Sequence, residues 1–220
     1  MDGPGTMSWE EFVENAESFV RVSDEISDGW ELRGEKSIPG EAYLYRQIKT
    51  FVPCDYLEEF PEIDAKINVK KAMGSDEFME REVEGDPYEA TCQTEQPLVT
   101  EHHVLWHMSY GVPVIYFNAW FSDFPGVNQI SVTKAQRAIP RDTLGYDELS
   151  QAIHPIVGTT FLYLHPCKSQ ELLSSMCEST NKLASWLSAV SPAALNLKLS
   201  LKYFELTRRK NSLGTDPSIN

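Results

Sequence analysis

Positive charge and long apolar runs are both scarce in this chain of 220 residues, which carries a formal net charge of −14. Nucleic acid and anionic membranes repel an acidic surface, so neither is expected as the main partner, and basic protein surfaces are the natural complement. No stretch approaches the roughly 18 consecutive apolar residues of a membrane helix, so stable membrane insertion is not expected. The apolar and charged fractions are otherwise ordinary for a globular domain.

Paired cysteines and a secretory leader are also missing. The N-terminal stretch MDGPGTMSWEEF has neither a basic region nor an apolar segment, which favours a cytoplasmic address. Cys54, Cys92, Cys167 and Cys177 include no C-x-x-C pair, so neither a zinc ribbon nor a thioredoxin-type redox motif is indicated. In a reducing compartment we expect each cysteine to be a free thiol.

The length fits one domain spanning residues 1–220 with a long insertion, or at most two small domains. An amphipathic helix is expected from Ser8 to Ile26, with Ser8 as N-cap, Glu11 completing a capping box and Gly29 as the C-terminal stop. Two β-hairpins are predicted, WELRG with EAYLYRQIKTFV and LVTEHHVLWHMSY with VPVIYFNAWF. One aromatic stripe is expected to be part of the core more readily than a binding surface. Its residues are Tyr110, Tyr116, Phe117, Trp120 and Phe121.

The stretch from about 53 to 97 differs from the rest in holding thirteen acidic residues against four basic ones. It is predicted to be a long acidic insertion, partly disordered, with a short helical piece around 63–73. A solvated tether without a role and a partner-binding segment are both compatible with this composition. The tail from about 208 to 220 is also expected to be disordered.

The second half is expected to contain a connector, a strand and a helix. A connector with one or two short helices is expected in FPGVNQISVTKAQRAIPRDTLGYDELSQA. A strand is expected next, in the apolar run of IHPIVGTTFLYLHPC. A long amphipathic helix follows Cys167 and ends at Pro192, with Cys177 on its buried stripe. LNLKLSLKYFEL alternates apolar and polar residues, which favours a strand, although a helix is compatible.

Cys167 is the strongest candidate for a reactive residue. It lies where a strand-like run meets the first turn of a helix, a place where free N–H groups and the helix dipole stabilise a thiolate. Pro166 prevents the helix from starting earlier. Strand alternation puts Tyr163, His165 and Cys167 on one face, where His165 could orient a substrate or donate to a developing oxyanion. A buried, inert thiol is the alternative.

Other chemistries fit less well. A phosphatase loop requires arginine six residues after its cysteine, and that position holds Leu173. A papain-type protease has its histidine after the cysteine, whereas His154 and the histidines of EHHVLWH all precede Cys167. In a β-rich run His103 and His107 share a side but lie too far apart for one ion, so packing or hydrogen bonding is the better account.

Four segments resemble the autophagy-related protein 10 family of ubiquitin-conjugating-enzyme-like proteins: DGWEL, EHHVLWHMSYGVPVIYF, HPIVGTTFLYLHPCKSQELL and ASWLSAVSPAALNLKLSLKYF. The resemblance covers most of the chain except the acidic insertion. The HPC tripeptide alone is shared with the autophagy-related protein 3 family, which loads a ubiquitin-like protein onto a lipid. That family is longer and has a different C-terminal end, so it ranks second.

The resemblance implies a ubiquitin-conjugating-enzyme-like α+β fold, an antiparallel sheet packed against the N-terminal helix and the helix after Cys167. It implies that Cys167 takes autophagy-related protein 12 as a thioester from the activating enzyme, autophagy-related protein 7. A lysine of autophagy-related protein 5 would then receive it in an isopeptide bond. No metal, nucleotide or organic cofactor is implied on this subunit.

One departure concerns the His-Pro-Asn motif of ordinary ubiquitin-conjugating enzymes, whose counterpart here is His154-Pro155-Ile156. Because the Asn is missing, His165 is a candidate for its oxyanion role, and a structural role for His154, bracing the turn, is the alternative use of that histidine. Two alternatives to the conjugating enzyme stay open. A lipid-transferring enzyme is disfavoured by the acidic polar face of the first helix, and a non-catalytic adaptor by the retained Cys167.

Overall fold

The computed structural model describes residue 3, residues 5–54, residue 56, residues 95–138 and residues 149–208. Most of the acidic insertion, including Cys92 and the expected helical piece around 63–73, lies outside the described residues, as does the tail from 209. None of the helices in the described ranges combines the length and apolarity needed to span a bilayer.

The first helix, α1 at Trp9–Ile26, begins where its cap predicts. The Ser8 hydroxyl accepts a hydrogen bond from the backbone N–H of Glu11 at 3.1 Å. The Glu11 carboxylate pairs with Lys182 at 2.8 Å, and so connects α1 to a later helix. The helix ends at Ile26 as predicted, but its C-cap is Ser27 instead of Gly29. Ser27 takes the left-handed conformation, with φ of 55°.

Within the described residues, six strands form one antiparallel sheet with the order β1-β2-β3-β4-β6-β5. The strands are β1 at Glu31–Gly34, β2 at Ala42–Pro53, β3 at Glu95–His107, β4 at Val112–Trp120, β5 at Leu149–Ile153 and β6 at Thr160–Leu164. Both predicted hairpins, β1-β2 and β3-β4, are confirmed. The β5-β6 hairpin corrects the sequence analysis, which placed the β5 residues in a connector.

The helices cover one face of the sheet. Register pairs Phe117 with Leu162 and Tyr116 with Tyr163, so the first pair points to one face of the sheet and the second pair to the opposite face. Phe117 and Leu162 are fully buried. The expected α+β architecture is confirmed, and the short α2 at Val132–Ala138 confirms a helix in the connector.

The predicted long helix after Cys167 is wrong. A three-residue 3-10 turn, Pro166–Lys168, leads into α3 at Ser169–Ser175, and a separate helix, α4, spans Lys182–Val190. The break has a local cause, because the Asn181 side chain accepts from the N–H of Ala184 at 2.8 Å and starts a new helix. Cys177 falls in the intervening turn and is exposed, so its predicted core position is also wrong.

The strand favoured for LNLKLSLKYFEL is wrong as well. Leu201–Thr207 is a 3-10 helix, the helical alternative in its tighter form. Its Tyr203 is completely buried, stacks on Phe19 with ring centroids 4.0 Å apart, and donates to the Asp28 carboxylate at 2.7 Å. Packing of this one aromatic residue against α1 therefore overrides the alternating pattern.

Candidate active site

Cys167 lies at the surface, at the junction between β6 and α3. The strand ends at Leu164, His165 keeps an extended backbone, and Pro166 opens the 3-10 turn, where its missing N–H is no loss. The proline therefore fixes the point at which the chain turns and leaves the next side chain exposed. This is the exposed junction that the sequence predicts.

His165 is the N-cap of that turn. Its Nδ1 accepts a hydrogen bond from the backbone N–H of Cys167 at 3.1 Å, so in the neutral ring the proton is on Nε2. The amide of Cys167 is thus engaged by a side chain and is not the free N–H donor expected at this position. The Cys167 Sγ has a long contact of 3.9 Å with the His165 carbonyl oxygen. The His165 Nε2–H is then a hydrogen-bond donor that the turn does not itself use.

One side of the candidate site is made of rings. Tyr163 lies 6.2 Å and Tyr110 lies 6.4 Å from His165 between ring centroids, and His107 lies 4.8 Å from Tyr110. Burial raises the pKa of Tyr163, and the neighbouring groups Tyr116, Tyr110 and Cys167 raise it further. Its phenol therefore stays neutral. The structure places Tyr163, His165 and Cys167 together, as strand alternation predicts.

The end of the β3-β4 hairpin belongs to this site, which the sequence analysis missed. Burial lowers the pKa of His107, with a further contribution from His165. Tyr110 is 49% exposed, so its predicted core position is wrong, whereas Tyr116, Phe117 and Trp120 are buried as expected. No local pattern could have shown this, because the contact depends on how β4 pairs with β6.

His154, in the other His-Pro dipeptide, is fully buried and hydrogen-bonded on both ring nitrogens. Its Nδ1 accepts from the N–H groups of Ile156 at 3.2 Å and Val157 at 3.1 Å. Its Nε2 therefore carries the proton and donates to Nδ1 of His103 at 2.9 Å. The opposite nitrogen of His103 then donates to the Glu101 carboxylate at 2.7 Å.

These hydrogen bonds show that the His154 ring stabilises the turn between β5 and β6. Burial lowers its pKa to about 4, with a further contribution from the neighbouring His103, so the ring is neutral near neutral pH. The five residues of β6, about 16 Å of strand, separate this turn from the Cys167 junction. His154-Pro155-Ile156 therefore braces the β5-β6 hairpin.

The remaining sequence candidates lie apart from Cys167. His102 points to the helical face, where its Nε2 donates to the Leu195 carbonyl at 3.0 Å, so it cannot act with His103 on one ion. Within the parts of the chain that the structure describes, no group of three or more His, Cys, Asp or Glu side chains is placed to hold a metal. Cys54 and Cys177 are exposed, and neither forms a disulfide with another described cysteine.

Comparisons with known proteins agree with this geometry. A family model described as "autophagocytosis associated protein, active-site domain" matches residues 11–199, which include every strand and the Cys167 junction. The chain is 28% identical over 202 residues to the human ubiquitin-like-conjugating enzyme ATG10, covering 86% of this chain and 88% of the human one. It is 26% identical over 135 residues to the Dictyostelium discoideum protein of the same name, covering 52% and 56%.

Proposed function

The chain belongs to the family of autophagocytosis-associated proteins with this active-site domain and is a ubiquitin-like-conjugating enzyme of the ATG10 family, and we propose that Cys167 is its thioester-forming residue. The exposed Cys167 at the junction of β6 and α3 carries this proposal. The backbone N–H of Cys167 is bound by the imidazole of His165, and the rings of Tyr163 and Tyr110 lie beside this turn.

The chemistry is two successive acyl transfers. In the first, the Cys167 thiolate attacks the carbonyl carbon of the cargo's thioester on the activating enzyme, and the activating enzyme's cysteine leaves as a thiolate. In the second, a neutral lysine amine of the acceptor attacks the same carbon, a C–N bond forms, the Cys167 thiolate leaves, and one amine proton is released to water. No oxidant or reductant is consumed. The free energy that drives both transfers is already stored in the thioester bond.

The partners are proposed from the family resemblance. The cargo is autophagy-related protein 12, the activating enzyme autophagy-related protein 7 and the acceptor autophagy-related protein 5, all meeting in the cytoplasm. The cargo arrives already activated, so this subunit needs no cofactor. Its task is to hold two protein substrates around one thiol, since positioning supplies much of the rate of such a transfer.

His165 has two separable roles in this proposal. Its Nδ1 holds the Cys167 amide, and its Nε2–H is a donor for the negative charge that develops on the carbonyl oxygen. The Asn of ordinary ubiquitin-conjugating enzymes is absent from the His154 turn, and that turn lies at the far end of β6. His165 is the residue next to the thiol that can supply the hydrogen bond.

A charging assay tests the site. The activating enzyme, ATP and the ubiquitin-like cargo are mixed with wild type, Cys167→Ser and Cys177→Ser, the last being a matched exposed thiol outside the junction. We expect a thiol-sensitive adduct on wild type and Cys177→Ser, and a thiol-resistant oxyester on Cys167→Ser. A thiol-sensitive adduct on Cys167→Ser would show that another cysteine is the carrier, and no adduct on wild type would favour the adaptor.

A further inference from the structure

The chain just before α1 runs between two parts of the structure that are far apart in sequence. Three consecutive residues, Gly5 to Met7, form what we call the N-terminal strap. The strap begins in a turn, in which the N–H and the hydroxyl of Thr6 both donate to the Gly3 carbonyl at 3.0 Å. Gly5 and Met7 are both buried, so the strap is packed against its neighbours on either side.

One end of the strap lies directly on α3, the helix that follows Cys167. A Cβ atom added to Gly5 would overlap the Gln170 carbonyl oxygen and the Ser174 Oγ. The carbonyl oxygen belongs to the helix backbone and cannot move aside by side-chain rotation, so glycine is required for this approach. Gln170 is the third residue after Cys167, and the strap is therefore seated close to the Cys167 junction in the chain.

The other end of the strap is bonded to the end of the β3-β4 hairpin. The Met7 N–H donates to the Gly111 carbonyl at 2.8 Å, and the Met7 carbonyl accepts from the Trp106 indole N–H at 2.8 Å. The hairpin turn is itself closed by the Gly111 N–H, which donates to the His107 carbonyl at 2.8 Å. Both backbone polar groups of one buried residue thus determine where this turn lies.

Tyr110 is the residue of this turn that reaches the candidate site. Its ring lies 6.4 Å from the His165 ring between centroids, at 72°, which is an edge-to-face contact. Tyr110 is 49% exposed, so its position depends on the backbone of the turn more than on surrounding side chains. The strap therefore sets the turn, the turn sets Tyr110, and Tyr110 restricts the orientation of the His165 ring.

We propose that the N-terminal strap is a positioning element for acyl transfer, with Gly5 and Met7 as positioning residues that act on His165 through Tyr110. The inference rests on the proposed function of Cys167 and adds a segment far from the thiol in sequence. Gly5 fixes the strap against α3, and Met7 fixes the hairpin turn against the strap. The spacing matters for the rate, because misplacing a group by about 1 Å can slow a reaction on the order of a hundredfold.

Gly5→Ala tests the proposal, and Gly3→Ala is the matched control, because a Cβ atom at Gly3 meets no other atom within 4 Å. Single-turnover transfer from the isolated thioester is measured at increasing concentrations of the acceptor. We expect Gly5→Ala to lower the rate at saturating acceptor about tenfold and to leave the half-saturating concentration within about twofold. Gly3→Ala should change neither. A merely structural role would lower the urea midpoint of Gly5→Ala and leave its saturated rate unchanged, which would overturn the proposal.

A double-mutant cycle tests the route through Tyr110. Tyr110→Ala should itself slow transfer several-fold, and adding Gly5→Ala should slow it by no more than about twofold further, because the ring that the strap positions is gone. Full additivity of the two effects, or a normal rate for Tyr110→Ala, would overturn the proposal.

Trp106→Phe replaces Gly5→Ala if the latter loses the wild-type unfolding transition. This substitution removes the N–H that the Met7 carbonyl accepts and keeps an aromatic ring against Trp9. We expect a several-fold decrease in the saturated transfer rate.

The outcomes distinguish this inference from the proposed function. Failure of wild type to form a thioester would overturn the role of Cys167, on which the inference rests. Normal transfer by Gly5→Ala and Trp106→Phe would overturn the role of the strap while leaving Cys167 in place. A higher half-saturating acceptor concentration at an unchanged maximal rate would assign the strap to acceptor binding and also overturn the inference.

Discussion

The two His-Pro turns of this protein share one local device and differ in their surroundings. In each turn the histidine Nδ1 accepts backbone N–H groups just after the proline, from Ile156 and Val157 at His154 and from Cys167 at His165. His154 is completely buried and its Nε2 donates to His103. His165 is exposed, and its Nε2 has no hydrogen-bond partner among the residues that the structure places.

Burial therefore decides what the same motif does. At the buried turn every polar atom of the ring is used, the pKa falls to about 4, and the histidine is committed to structure. At the exposed turn one ring nitrogen binds the backbone N–H of Cys167. The other nitrogen is the one that we propose donates to the substrate. A His-Pro dipeptide in a sequence is thus only a turn former, and the tertiary environment determines whether it becomes part of a site.

The largest expected effect of a single substitution comes from removing the buried ring. His154→Ala leaves the Nδ1 of His103 without its donor and removes the acceptor for the two N–H groups of the turn. We expect a loss of about 3 kcal/mol in the free energy of unfolding, measured by urea denaturation. His154→Asn restores an acceptor close to the Nδ1 position and should recover about half of that loss.

The matched variant at the exposed turn is His165→Ala, which removes an N-cap from a solvent-facing turn. Its expected cost is about 1 kcal/mol, because water can replace the lost acceptor. Equal destabilisation by His154→Ala and His165→Ala would contradict the distinction between the two turns.

Acid should destabilise the protein through its buried histidines. Burial lowers the pKa of His102 to about 3 and that of His154 to about 4, from 6.5 in the unfolded chain. Below pH 6.5 the unfolded state binds protons that the folded state does not, so stability is lost as the pH falls from 6.5 toward 4. Each histidine should contribute about 2 kcal/mol of loss between pH 7.5 and 5.

A non-titrating variant isolates one of these contributions. His102→Gln keeps an amide N–H that can donate to the Leu195 carbonyl, as the His102 Nε2 does. Urea unfolding at several pH values should show a shallower decrease below pH 6.5 for His102→Gln than for wild type. An unchanged slope would mean that His102 is protonated in the folded state without penalty.

The features that the sequence predicted are those set by neighbouring residues. Ser8 caps α1 through the N–H three residues later, the two hairpins follow from runs of strand-forming residues, and the Pro166 turn exposes Cys167. Each depends on contacts within a short stretch of chain. Local physical chemistry is sufficient there.

The features that it did not predict depend on distant partners. Tyr203 turns an alternating segment into a 3-10 helix because it packs on Phe19 and bonds to Asp28, which are far away in the chain. His103 and His154 meet only because β3, β4 and β6 pair in one register. Alternation places residues on a face but does not show which strands are neighbours.

The finest test of the comparison lies at His165. Asparagine there can accept the Cys167 N–H in place of Nδ1 but has no donor at the position of Nε2, whereas glutamine has the opposite properties. We therefore expect His165→Asn to keep wild-type stability while transferring the cargo from a preformed thioester about tenfold more slowly, which corresponds to about 1.4 kcal/mol in the barrier. His165→Gln should transfer within about threefold of wild type but lose about 1 kcal/mol of stability. The measurement is single-turnover transfer to the acceptor lysine after the activating enzyme has been removed. A wild-type transfer rate for His165→Asn would restrict His165 to holding the turn, and the two His-Pro dipeptides would then differ in burial but not in role.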